Sequence, residues 1–75
     1  MDSEDPHVKY ALRTALLAIA MQIADTSVPV IRLASWVDWY MGTFTPPIYL
    51  TTQFIADAVK LSLVSYGIPI RAGYV

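Results

Sequence analysis

The sequence predicts an all-α fold: a kinked two-arm helical hairpin of two to three helices, oligomeric in use. Three observations carry this. Two long stretches of helix-forming residues are punctuated by Pro and Gly at positions that suit helix ends. The chain has 75 residues and no cysteine. It is 56% hydrophobic and 15% charged, against about 45–50% and about 25% for typical soluble domains. A chain this short buries too small a core to be comfortably stable alone. Disulfides and thiolate metal sites are excluded, and the single histidine, His7, lies in a polar N-terminal stretch. Oligomerisation or a membrane remains as the stabilising influence. The mean hydropathy of +0.49 agrees.

Asp5 is a good N-cap and Pro6 suits the first helical position, so the first arm starts at residue 6. No Gly or Pro occurs from Val8 to Ala24. Lys9 and Arg13 share one side, with Thr14, Gln22 and Asp25 roughly opposite. Between Thr14 and Gln22 the helix is apolar all round, which predicts burial on every side by protein or lipid. Pro29 removes a hydrogen bond to Asp25 and clashes there. It predicts a kink or one-turn break, or a new helix capped by Thr26 or Ser27. Helix then continues to about Met41, where Gly42 ends it. The turn is 42–45. Thr45 is the expected next N-cap, with Pro46 and Pro47 opening a second arm over 46–66. Gly67 is its C′ stop, Pro69 confirms the stop, and 68–75 is expected to be an extended tail. The second arm, about 21 residues, spans about 31 Å at ~1.5 Å per residue. That matches the ~30 Å hydrocarbon core of a bilayer.

Charge narrows the function classes. Five basic and six acidic residues give a net charge of −1, with no basic footprint for nucleic acid. No Gly-rich phosphate loop, Ser–His–Asp set or metal cluster is visible, so the sequence points to no enzyme, no catalytic residue and no metal. Asparagine is absent and glutamine occurs only at Gln22 and Gln53, a composition shared by thermophile proteins and membrane segments. The acidic start, Met1-Asp2-Ser3-Glu4-Asp5-Pro6, does not follow the signal-peptide pattern, and a leader already removed stays open.

Candidate contact residues are the interior charges and the aromatics. Arg13, Arg32 and Lys60 balance Asp25, Asp38 and Asp57 in an apolar segment. Asp57 and Lys60 stand at i, i+3, close enough to pair within a helix. Asp25 and Arg32 each need a partner elsewhere. An ion or proton path with Asp57 as carrier is one reading. Lys60 beside it favours another, in which these groups pair across subunits or line a wet channel and fix register. Trp36, Trp39, Tyr40, Phe44 and Tyr49 cluster around the turn, with Tyr10, Tyr66 and Tyr74 expected at the opposite end. Such grouping resembles interfacial belts, or a packed hairpin tip in a soluble assembly. Arg32 and Trp36, at i, i+4, allow a cation–π contact. Small stripes at Ala11, Ala15 and Ala18, and at Ala58, Ser62 and Ser65, permit close helix approach. The subunit- or lipid-contact candidates are therefore Asp25, Arg32, Trp36, Trp39, Asp57 and Lys60.

From Val8 to Tyr66 this apolar, cysteine-free hairpin resembles conjugation-type pilins, including the archaeal relatives used for DNA import. The resemblance implies a structural subunit that polymerises into a filament. It also implies copies of itself as partners, structural phospholipid in place of a cofactor, and DNA only as cargo. It implies insertion in a membrane before assembly and an extracellular filament after. The turn Gly42-Thr43-Phe44-Thr45-Pro46-Pro47 is neutral, where bacterial members often carry a basic residue facing the lumen. The alternative is a small accessory subunit of a multi-subunit membrane complex.

Overall fold

A computed structural model describes residues 5–44 and 52–74, with side chains in the last helix from Ala56 onward. It contains three helices: α1 (Pro6–Ile23), α2 (Val30–Thr43) and α3 (Thr52–Tyr66). No strand occurs among the described residues, only an isolated antiparallel bridge between Ala24 and Ile70. The chain is all-α, as its sequence predicts. The expected cap at Thr45, the Pro46–Pro47 opening and Tyr49 lie outside the described residues.

Helix α1 starts as expected. The Asp5 carboxylate accepts the backbone N–H of His7 at 2.8 Å, and Pro6 follows at a position whose missing N–H costs nothing. The interruption at Pro29 is wider than a kink: α1 ends at Ile23 and α2 begins at Val30. Asp25 causes part of this. Its carboxylate accepts the Ser27 N–H at 3.0 Å, and Val28 N–H donates to its carbonyl at 3.0 Å. Such a side-chain-to-backbone turn competes with helix. Neither Thr26 nor Ser27 caps α2; Pro29 occupies the N-cap position with no side-chain hydrogen bond.

At this elbow the chain doubles back. An unbroken arm over 6–41 would measure about 54 Å, whereas the longest dimension of the molecule is 37 Å. The radius of gyration, 12.0 Å, is close to the ~11 Å of a compact domain of this length. Helix α1 packs against both α2 and α3. An ion pair between Arg13 and Asp38, 3.0 Å apart, joins α1 and α2 away from the elbow.

The core lies between the three helices. Leu16, Ala20 and Ile23 of α1 meet Leu33, Trp36, Val37 and Tyr40 of α2, with Val59 and Leu63 of α3 and Ile68 beyond it. Helix α1 is therefore buried along one stripe and not all round: Ala15, Ala18 and Met21 are exposed. Two partner helices cover one side of it, which a simple hairpin could not.

Gly42 does not end α2. The helix continues through Thr43, and Phe44 N–H bonds the Tyr40 carbonyl at 2.7 Å. The Phe44 ring packs against Tyr40 and Trp39 just beyond the helix end. Gly67 does act as a stop, with φ of 91°. Ile68 N–H donates to Leu63 and Gly67 N–H to Val64, both at 3.0 Å. This is the paired closure typical of a left-handed C′ glycine, and Ile68 and Leu63 are both buried in the accompanying apolar contact.

The tail beyond Gly67 does not stand free. Asp25 N–H donates to the Pro69 carbonyl at 2.9 Å, and Arg71 N–H to the Ile23 carbonyl at 2.8 Å. Tyr74 N–H closes a turn on Arg71 at 3.1 Å. The tail is thus strapped across the elbow, covering the end of the core.

Candidate assembly surface

Two arginines fasten helix ends. The Arg71 guanidinium donates to the Met21 carbonyl at 3.0 Å and, more weakly, to Ala24 at 3.4 Å. Arg32 donates to the Gly67 carbonyl at 2.9 Å. Each cation meets carbonyls that a helix C-terminus leaves without intrahelical partners. Arg71 belongs to none of the sequence-predicted pairs. Its signal was the Ile68-Pro69-Ile70 run before it, whose alternating isoleucines need cover.

The candidate residues therefore separate. Asp25 is half-buried at the elbow. The Ser27 N–H, with Arg71 as a lesser influence, holds its carboxyl below the usual range. Arg32 lies at the tail. Trp36 is fully buried, stacked on Tyr40 with centroids 5.1 Å apart. Its indole N–H donates to the Ser62 hydroxyl at 3.1 Å. Trp36 is a core residue, which corrects its place among the contact candidates. Arg32 and Trp36, whose spacing allows a cation–π contact, take these separate partners.

Arg13 pairs with Asp38, which lifts its pKa through their hydrogen bond and charge. Burial raises that of Tyr40. The tyrosines do not divide as expected: Tyr66 meets Trp39 with centroids 5.2 Å apart. A wide indole on α2 reaches the end of α3, so one ring of each expected group joins the other.

Trp39, Asp57 and Lys60 lie at or near the surface, around the exposed side of α3. Leu61 and Val64 project there, 68% and 57% exposed. A groove of about 420 Å³ runs on the α2 side, walled by Trp39, Tyr40 and Phe44 over Ala58, Ser62 and Ser65. The second small-residue stripe thus floors a groove, while Ala11, Ala15 and Ala18 are exposed. A second groove, about 560 Å³, runs on the tail side between Lys60, Val64, Pro69, Ile70 and Tyr74. Ile31 and Tyr10 add exposed apolar area elsewhere, at 77% and 74%.

Among the described residues no three His, Asp or Glu side chains gather as a metal site. Nor is any described helix long and apolar enough to cross a membrane. The described α3 has 15 residues, about 22 Å; the expected start of that arm, over 46–51, lies outside the described residues. No protein family, curated protein or solved structure matches this chain.

Proposed function

We propose that this chain is a structural subunit, not an enzyme, which polymerises into a helical filament of the pilus type. Phospholipid lies against its apolar faces. The observation that carries the reading is the exposed apolar ridge of Leu61 and Val64 with a groove on either side. Soluble monomers seldom leave large contiguous apolar patches uncovered. Here the ridge, Ile31 and Tyr10 all lie outside the core that the described residues form. Copies of the chain and acyl chains are the partners that cover such surface. Membrane contact before assembly runs through these same faces, the assembled filament lies outside the cell, and DNA is its cargo without a dedicated binding motif.

Negative-stain microscopy of purified native material tests this directly. Filaments are expected, with stoichiometric phospholipid in organic extracts read by mass spectrometry. A discrete particle of unlike chains would replace the filament with an accessory subunit of a membrane complex. A stable monomer in detergent-free buffer, seen by light scattering, would remove both polymer and lipid.

A further inference from the structure

We infer that the tail-side groove is a binding site for a single-chain carboxylate, a fatty acid, with its head on Lys60 and its chain along Val64, Ile70 and Tyr74. The inference goes beyond the filament reading and does not depend on it.

The groove is built from one stripe of α3 and the tail laid beside it. Lys60, Val64 and Gly67 follow the i, i+4, i+7 spacing that puts residues on one helix face. Ile68, Pro69, Ile70 and Tyr74 supply the opposite wall. The tail offers this space little backbone polarity. Pro69 has no N–H, its carbonyl accepts the Asp25 N–H at 2.9 Å, and the Ile68 N–H is directed to Leu63 at 3.0 Å. The result is an apolar trough of about 560 Å³ with an ammonium on its wall. Its size and chemistry are those of a small-molecule site.

Charge selects the occupant. Lys60 is half-buried and is the charged residue that lines the groove. The ion pair among the described residues joins Arg13 to Asp38, and no described carboxylate stands within ion-pair distance of Lys60. Arg32 adds a second cation at the Gly67 end, where it holds that carbonyl. Asp25, whose N–H reaches Pro69, turns its carboxylate onto the Ser27 N–H. A neutral or cationic amphiphile in the groove would leave the ammonium without a counter-ion. A carboxylate ending an alkyl chain satisfies the ammonium and the apolar walls together. One trough and one ammonium suit one chain and one negative charge, not a two-chain phospholipid.

Calorimetry of the full chain with decyl compounds, each below its micelle concentration, tests the site. Decanoate should bind about tenfold tighter than decanol. Decyltrimethylammonium should bind more weakly than decanol, and acetate not measurably. Among carboxylates, affinity should rise severalfold with each added methylene and level off once the chain outruns the groove. Lys60→Gln should bring decanoate down to the affinity of decanol. It should leave decanol binding unchanged, which shows that the groove is intact. Val64→Asn, at an exposed position, should weaken decanoate and decanol alike. Equal affinity of the three decyl compounds for the wild type overturns the inference and means that the ammonium stands in water. A Lys60→Gln chain that still prefers decanoate overturns it too. A soluble diacyl phosphatidylglycerol that binds as tightly as decanoate, and loses that affinity in Lys60→Gln, replaces the fatty acid with phospholipid. None of these outcomes bears on whether filaments form, so the two readings fail separately.

Discussion

The indole nitrogen of Trp36 and the hydroxyl of Ser62, 26 residues apart, share a hydrogen bond of 3.1 Å inside the α2–α3 contact. It satisfies the polar atom of the largest fully buried side chain. Ser62→Ala leaves that N–H without its acceptor and should cost about 1–3 kcal/mol. Trp36→Ala should cost about 3–5 kcal/mol. A 75-residue domain has only about 4–11 kcal/mol in all. Urea titration should find Ser62→Ala folded with a lower midpoint and Trp36→Ala largely unfolded at room temperature. A Ser62→Ala variant as stable as wild type would mean that the hydrogen bond contributes nothing.

Arg71 ties the tail to the C-terminal end of α1 through Met21 and Ala24. Arg71→Ala should lower stability by about 1 kcal/mol, since these are charged donors at a largely wet site. The loss should be local. Hydrogen exchange should accelerate at the Asp25 and Arg71 amides, which bond across the elbow, and stay slow at Leu33 and Leu63 in the core. Arg71→Lys should recover less than half of the protection, because an ammonium lacks the fork that reaches two carbonyls.

What was legible in the sequence was what adjacent residues decide. Asp5-Pro6 starts α1 and Gly67 ends α3 through interactions within a few residues. The reversal at the elbow was not legible. Its backbone groups are paired by Pro69 and Arg71, more than forty residues along the chain, so a reading limited to Pro29 finds only an interruption. Asp25 and Arg32 share a face only if one helix connects them, and the elbow removes that helix. Trp36 looked like an interfacial aromatic because position beside a turn does not distinguish the wet side of α2 from the side facing α1. Trp39, three residues on, took the exposed role.

Two glycines should respond in opposite directions to the same substitution. Gly42 lies inside α2 with nothing within 4 Å of an added Cβ. Gly42→Ala removes the backbone-entropy cost of glycine in a helix and should stabilise by about 0.5–1 kcal/mol. Gly67 also has room, its nearest neighbour being the Arg32 guanidinium at 4.0 Å, but its φ is 91°. There the conformation is the obstacle, and Gly67→Ala should destabilise by about 1 kcal/mol. Thermal melts of the two variants should bracket the wild type. Equal shifts would show that φ at Gly67 does not matter to the closure of α3.

The elbow should loosen in acid. The Asp25 carboxyl is held below its ordinary value chiefly by the Ser27 N–H, with Arg71 as a lesser contributor. A carboxyl depressed in the folded state stabilises that state above its unfolded pKa. The contribution disappears as pH falls through the lower folded value. The window therefore lies in the acid range, at and below the 3.8 of an ordinary Asp. Titration should show the Ser27 amide shifting with Asp25. The Asp25–Pro69 backbone bond, 2.9 Å long, should exchange faster as that carboxyl is protonated. Asp25→Asn keeps an acceptor for Ser27 but cannot ionise, so it should flatten this part of the pH profile while leaving the turn in place. Asp38, whose partner Arg13 is on the opposite side of the same hairpin, provides the control. Asp38→Asn should leave the acid response of the elbow unchanged. If it abolishes that response and Asp25→Asn does not, the acid sensitivity belongs to the α1–α2 ion pair and the elbow is held by its backbone alone.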